Sequence, residues 1–107
     1  MATTISITGT VRRTLTTGDQ GVVSRTRFQV SGASSLEMDV QGAMKPSPGA
    51  DPAFVDMAYT NVASNAAVSV STDITADGIY EVDSGGLIIA LLPTAGKAQI
   101  TYLTLLG

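Results

Sequence analysis

The side chains of this chain that could do acid–base chemistry are carboxylates, because its 107 residues include no histidine and no cysteine. Glu37 with Asp39, and Glu81 with Asp83, each stand two residues apart, which places each pair on one face of a strand. Paired carboxylates can hydrolyse glycosides only if one acid is buried with a raised pKa. Acids on a strand surface are normally solvated, and Ser84 before two glycines is typical of a turn. We therefore predict that the chain is not an enzyme.

Four carboxylates gather around one predicted turn and are the best candidates for a metal site. Asp73, Asp77, Glu81 and Asp83 could together hold a hard cation such as calcium. Their spacing matches no EF-hand loop, and Asp77 before a glycine is explained equally well as the start of a turn. The prediction is that the protein has neither a metal nor a cofactor.

The charges are distributed unevenly, although the chain as a whole has a net charge of −3. Residues 1–27 contain four arginines and one aspartate. The other eighty residues contain eight carboxylates and two lysines, so their net charge is negative. A basic edge of one subunit could therefore meet an acidic surface of another protein, or the arginines could be ordinary solvated residues. The candidate contacts are Arg12, Arg25 and Arg27. A nucleic-acid partner is not expected, because Phe28 is the only aromatic residue near the arginines and lies at a core position.

Alternating apolar and polar residues indicate strands in the first half of the chain. This period-two pattern covers residues 5–15, 22–30 and 36–41. Gly9 is expected to be a bulge or bend, and the glycine-containing segments 16–21 and 31–35 are predicted to be turns. These features predict an antiparallel meander of three strands.

The segment "MKPSPGADP", residues 44–52, is the one long loop of the sequence. Its three prolines disfavour both helix and sheet, so it should be extended and exposed. We expect this loop and a short N-terminal arm, residues 1–4, to contact a partner. The candidate contact residues of the loop are Met44, Lys45, Pro46 and Pro48. Residues 53–62 then fit either a helix capped at Asp51 or a strand, and we favour a strand that pairs with residues 35–43.

Turn signals divide the second half into further short strands. Residues 63–71 should place Val68 and Val70 inward, and residues 78–83 lie between a turn at Asp77 and a second turn at 84–86. An apolar strand at 87–92 and a last strand at 98–106 follow, separated by "TAGK". The sequence therefore predicts a single all-β domain over 1–107, an antiparallel, jelly-roll-like β-sandwich of about eight short strands.

Residues 87–92 are apolar at every position, so the strand has no polar face. One face would lie in the core, and the other must be covered by a second copy of the chain or by loops of the same chain. The run is too short to cross a bilayer, and "MATTISITGT" does not have the pattern of a signal peptide, so no membrane association is expected. The candidate residues for an oligomer face are Ile88, Ile89, Leu91, Leu103 and Leu105.

The order of elements over residues 53–105 resembles a known group of proteins. The segments "FVDMAYTNV", "ITADGIYEVDSGGL" and "TAGKAQITYL" look like small β-sandwich virion proteins of tailed bacteriophages, including capsid decoration (cement) proteins and related head or tail accessory subunits. The resemblance implies a non-enzymatic protein made in the host cytoplasm that joins the virion as a dimer or trimer. Its partners would be the major capsid protein or other virion subunits.

A carbohydrate- or receptor-binding module of a head fibre or tail is the alternative function. Such modules usually expose aromatic rings that stack on sugars. The three tyrosines of the chain, Tyr59, Tyr80 and Tyr102, all occupy predicted strand positions, which argues against this alternative.

Overall fold

The protein is built from antiparallel strands alone, as the sequence predicts. A computed structural model describes residues 2–68 and 72–106, and within them there is no helix and hence no helix that could span a membrane. The strands form one sheet in the order β1-β8-β3-β7-β5-β6, with β2 added to β8 and β4 added to β3. Their bounds are β1 Thr3–Thr8, β2 Arg13–Thr14, β3 Ser24–Met44, β4 Val55–Asp56, β5 Tyr59–Asn61, β6 Ala66–Val68, β7 Gly78–Asp83 and β8 Leu87–Leu106.

The sheet is bent over on itself, and β3 shows this most directly. A straight strand of its 21 residues would be roughly 70 Å long, whereas the longest dimension of the molecule is 36 Å. One short turn also reaches both ends of β3. The Ser84 N–H donates to the Ser24 carbonyl oxygen at 3.0 Å, and Leu87 pairs with Met44. The two halves of the bent sheet therefore enclose one core, which gives the predicted sandwich.

The bend lies where β3 and β8 bulge opposite each other. The register of the pair shifts between Ser31 and Met38, and three residues there adopt left-handed φ angles: Gly32 (+63°), Ser35 (+51°) and Gly96 (+78°). The predicted turns at 31–35 and in "TAGK" are therefore wrong, because both segments are bulges inside continuous strands. Pairing continues across them, so β3 and β8 have 21 and 20 residues and are not short.

Side chains from both halves of the sheet form the core. The first half contains residues 24–31 of β3 and contributes Phe28, Val82 and Ile100. The second half contains residues 38–44 of β3 and contributes Met38 and Leu91. Tyr80 stacks on Phe28 with ring centroids 5.7 Å apart, and Tyr59 meets Tyr80 edge-on at the same distance.

The elements between β3 and β7 follow the predictions in part. β4 pairs with Gln41 and Gly42 of β3, as expected for a strand in 53–62, but β5 pairs with β6 and β7 instead. Val68 packs against the core as predicted, and Val70 lies outside the described residues.

Two predicted contact segments lie at the surface. The proline loop is largely exposed, with one turn closed by the Ala50 N–H on the Ser47 carbonyl oxygen at 3.0 Å. The N-terminal arm is shorter than predicted, because β1 begins at Thr3, which pairs with Tyr102 of β8.

Both faces of residues 87–92 are covered within a single chain. Ile88 is 8% exposed and Ile89 and Leu91 are 0% exposed. Residues 13–20 provide part of this cover. β2 and the Leu15 N–H pair along the edge of β8, and Gly18 lies over the Ile88 side chain, because a Cβ on Gly18 would be 3.1 Å from Ile88 Cγ1.

This cover corrects the prediction of an oligomer face at Ile88, Ile89 and Leu91. These side chains are not available to a second copy, and the alternative that the same chain folds over them is the one that the structure shows. Leu103 and Leu105 are only partly buried and remain candidates.

Candidate protein-binding face

Six of the residues singled out in the sequence lie on one outer face of the sheet. Arg25 of β3 is opposite Asp83 of β7 and Leu105 of β8, and Arg27 is opposite Glu81 and Leu103. Residues directly opposite on antiparallel strands point to the same side. These side chains therefore form one surface, named here the arginine–leucine face, whose members are Arg25, Arg27, Ile79, Glu81, Asp83, Leu103 and Leu105.

One carboxylate holds both arginines of this face. Glu81 accepts from Arg25 Nη1 at 3.0 Å and from Arg27 at 2.7 Å (Nη2) and 2.9 Å (Nε). The arginine side chains remain 54% and 43% exposed, whereas Glu81 is 15% exposed. The guanidinium groups are thus fixed in place and still accessible, and together with Asp83 they leave the face close to neutral.

An apolar depression lies beside the ion pairs. Leu103 and Ile79 contribute side chains to a shallow cavity of about 250 Å³ that also includes Ala2, Arg27, Phe28, Gln29, Thr101 and Tyr102. This volume is below the range of sites for drug-sized ligands, roughly 300–1,000 Å³. Its mainly apolar lining suits an apolar side chain of a partner protein.

Two exposed valines stand at the edge of the same face. Val22 and Val23 are 85% and 68% exposed and immediately precede β3. Val22 is held by close backbone packing, because a Cβ added to Gly85 would lie only 2.0 Å from the Val22 carbonyl oxygen. A second depression of about 410 Å³ runs from the valines to Arg25, Thr60, Glu81 and Asp83. Large apolar side chains fixed in solvent are typical of protein-binding surfaces.

A hydrogen-bonded set of polar residues flanks the valines in the chain, and we name it the clasp: Thr16, Ser24 and Ser84, which are buried, and Gln20, which is half-buried. Gln20 Nε2 donates to the carbonyl oxygens of Ser84 and Leu87, at 2.6 and 2.5 Å. Thr16 Oγ1 donates to the Leu87 carbonyl oxygen at 2.7 Å and accepts from the Ile89 N–H at 2.8 Å. Ser84 is fully buried, and its carbonyl oxygen accepts from the Leu87 N–H at 3.0 Å, so it begins a turn as predicted.

The other predicted contact residues lie outside the arginine–leucine face. Arg12 lies 4.4 Å above the ring centroid of Phe54 and donates to Gln41 Oε1 at 3.0 Å. Lys45 forms an exposed ion pair with Asp19 at 2.7 Å, which lowers the pKa of Asp19 through a hydrogen bond and the charge of Lys45. Met44 is the last residue of β3, and Pro46 and Pro48 follow it in the exposed loop. The charge asymmetry of the sequence therefore does not become one basic edge.

The four carboxylates considered for calcium do not come together. Asp77 accepts from the N–H groups of Gly32 and Ala33, and Asp83 accepts from the Gly85 N–H. Glu81 belongs to the ion pairs already described. Over 2–68 and 72–106, no three carboxylates are grouped closely enough to hold a metal ion. Each acid is explained by a different structural contact.

Sequence reasoning missed a carboxyl pair on the second half of the sheet. Asp73 lies against Asp39 of β3, and the hydrogen bond between them, with burial and the charges of Asp73 and Asp56, raises the pKa of Asp39 to about 6. No local pattern could have indicated this pair, because the two residues are 34 positions apart and meet only through the register of one isolated bridge, Met38 with Ile74.

The tyrosines do not form a platform for sugar stacking. Tyr59 and Tyr80 are buried, and burial is the main cause that raises the pKa of each phenol. Their hydroxyl groups donate to the carbonyl oxygens of Thr72 and Ala76 at 3.1 and 3.0 Å. Tyr102 is half-buried in β8. None of the three tyrosines therefore presents a fully exposed ring to a sugar.

Comparison with known proteins identifies no relative. No family model, curated protein or solved structure matches the chain.

Proposed function

We propose that this chain is a non-enzymatic structural protein of a tailed-phage virion that binds and stabilises the capsid lattice, as a decoration or cement protein does. The observation that carries the proposal is the arginine–leucine face with two exposed valines at its edge. That surface supports binding to another protein. The virion context rests on the resemblance of residues 53–105 to small phage β-sandwich proteins.

Binding would work mainly through burial of the exposed aliphatic side chains. Val22 and Val23 contribute roughly 1.5 kcal/mol each when fully covered, and the clasp keeps them ordered beforehand, so little conformational entropy is lost. Arg25 and Arg27 provide donors to carboxylates of the partner. The partner is the major capsid protein or another virion subunit, and a dimer or trimer of this chain would repeat the face and strengthen attachment to a lattice.

Glycan or receptor binding, the alternative, has less support from the geometry. Such a module needs exposed aromatic rings, and the tyrosine rings of this chain are buried or half-buried.

The test is cosedimentation of the purified chain with empty capsids assembled from the major capsid protein of the same genome. The wild type should pellet with capsids, and the double variant Val22→Ser/Val23→Ser should bind at least tenfold more weakly, because two apolar anchors are lost. Val11→Ser is the matched control, since Val11 is 64% exposed and lies outside the face.

Equal binding by the wild type and the double variant would show that the valines are not the anchor. If the wild type does not bind capsids but binds a glycan array, the proposal is wrong and the alternative is correct.

A further inference from the structure

A short segment between β6 and β7 runs antiparallel beside β3 and is held by hydrogen bonds at several points. This segment, residues 72–77, is named here the strap. Tyr59 and Tyr80 donate to its carbonyl oxygens, and Asp77 accepts from two N–H groups in the bulge of β3. At its centre Ile74 and Met38 exchange both backbone hydrogen bonds, at 2.9 and 3.1 Å. Ile74 is 2% exposed and belongs to the core.

The register of this bridge places two carboxyl groups face to face. Met38 and Ile74 are a hydrogen-bonded antiparallel pair. The next residue of β3, Asp39, is therefore opposite the preceding residue of the strap, Asp73. A pair next to a hydrogen-bonded pair is a non-hydrogen-bonded pair. Its Cα atoms are closer than those of a hydrogen-bonded pair, about 4.5 Å apart, and its side chains lie on the same side of the sheet. Two ionised carboxylates at this spacing repel each other.

We propose that Asp39 and Asp73 form a proton-binding site and that the proton they share fastens the strap to β3. With one proton the pair makes a carboxylic acid–carboxylate hydrogen bond, O–H to O⁻, which adds to the backbone bridge. Without it the pair carries two negative charges, and the strap is held against β3 in spite of their repulsion.

The surrounding charges favour uptake of this proton. Asp56 of β4 adds a third negative charge, and Glu37 lies two residues away along β3. From β5, Tyr59 contributes a phenol that is neutral at these pH values. The cation connected to these acids by hydrogen bonds is Arg12: its guanidinium donates to Gln41, and the Gln41 amide in turn donates to Asp56 at 3.1 Å. The excess of acids over bases stabilises the protonated pair.

The direction of the pH effect follows from the raised pKa of Asp39, about 6 in the folded protein against 3.8 for an ordinary aspartate. Between these values the folded state binds more protons than the unfolded state, so the contribution to stability falls as the pH rises. It is fully present below about pH 4 and is lost as the pH passes 6. The strap is thus more firmly fastened in mildly acidic solution than at neutral pH.

Hydrogen exchange of the Ile74 amide, corrected for its intrinsic pH dependence, tests the proposal on the whole chain. In the wild type, the protection of this amide should be about tenfold higher at pH 5 than at pH 7.5. At pH 5, one unit below the pKa of Asp39, proton binding favours the closed strap by a factor of about ten, and at pH 7.5 this contribution is lost. Asp39→Asn should abolish the difference, because an amide donates to Asp73 at either pH. Glu37→Gln is the control and should retain it.

Carbon-13 carboxyl titration is the second measurement, and it does not depend on strap opening. Asp39 should titrate with a midpoint near 6, well above the 3.8 of an ordinary aspartate. Ordinary titration of Asp39 near pH 4, or the same pH dependence of exchange in Asp39→Asn and the wild type, would overturn the proposal.

Discussion

Gly96 lies directly against the main chain of Ser35, and this contact joins the two bulges at which the sheet bends. A Cβ on Gly96 would lie 2.3 Å from the Ser35 carbonyl oxygen and 2.5 Å from that of Ser34. Gly96 also has a φ of +78°, which favours glycine. The bend therefore depends on a residue without a side chain at this position.

Gly96→Ala should destabilise the protein by about 2–5 kcal/mol, because it adds a backbone clash to a strained φ angle. The matched control is Gly9→Ala, where φ is +64° but a Cβ would meet nothing within 4 Å. It should cost only about 1–2 kcal/mol. Urea unfolding followed by circular dichroism measures both. Equal losses in the two variants would mean that the close approach to Ser35 is unimportant.

Ile88→Thr and Ile89→Thr should both reduce the stability of the monomer, since one chain covers both faces of this part of β8. Loss of each buried side chain should lower the free energy of unfolding by about 1.5–3 kcal/mol. Val55→Thr, at an exposed position in β4, should leave it almost unchanged. Thermal melting and sedimentation velocity read out stability and association. A variant at Ile88 with normal stability but lost self-association would restore an oligomer contact there.

Arg25→Ser with Arg27→Ser should slow attachment to a capsid and reduce its salt dependence, because exposed charges act over about 8 Å at physiological ionic strength. The melting temperature should change little, since exposed ion pairs contribute about 0–1 kcal/mol each. Adding Glu81→Gln to this variant removes the carboxylate that the arginines leave unpaired and controls for its effect. Stopped-flow binding across a salt series is the measurement. Identical rates for wild type and variant would show that the arginines only pair with Glu81.

Shortening residues 45–51 to a glycine-containing turn should leave the protein folded, because the loop is exposed and adds little to the core. The ion pair between Lys45 and Asp19 would be lost, at a cost of less than about 1 kcal/mol. Attachment to capsids should weaken if the loop is a contact element. Isothermal titration with the wild type and the shortened chain compares the affinities, and an unchanged value would make the loop a connector.

Addition of excess EDTA or of calcium should leave the melting temperature unchanged. Asp77, Glu81 and Asp83 are engaged by N–H groups or arginines, so they are not free to coordinate a cation together. Differential scanning fluorimetry in both solutions is sufficient. A fall of many degrees in EDTA that calcium reverses would reveal a site formed by these acids.

The all-β fold was predictable because alternation is a local signal. Phe28, Val30, Met38 and Val40 follow period two and are buried, as the pattern indicates. The two bulges were not predictable as bulges. Gly32 and Gly96 adopt left-handed φ angles that serve equally in a turn and in a bulge, and only the pairing of residues far away in the chain distinguishes the two.

The surface was predictable in its members but not in its arrangement. Arg25 and Leu105 were candidates for separate reasons, and the register of β3 with β7 and β8 places both on one face. The sequence also did not indicate that residues 13–20 lie against Ile88. This segment has only one large apolar side chain, Leu15, and it is held to β8 mainly by hydrogen bonds of its backbone and of the Gln20 amide.

The pairing of β3 with β8 also determines when the chain can fold. The partners in this pair are separated by between 43 residues, from Met44 to Leu87, and 82 residues, from Ser24 to Leu106. Topologies dominated by such distant pairs fold slowly, in milliseconds to seconds, because loop closure costs entropy before any contact compensates it. During synthesis, β3 can find its main partner only once β8 has emerged from the ribosome. Until then its apolar face remains open to other chains, and the risk of aggregation is concentrated in that interval.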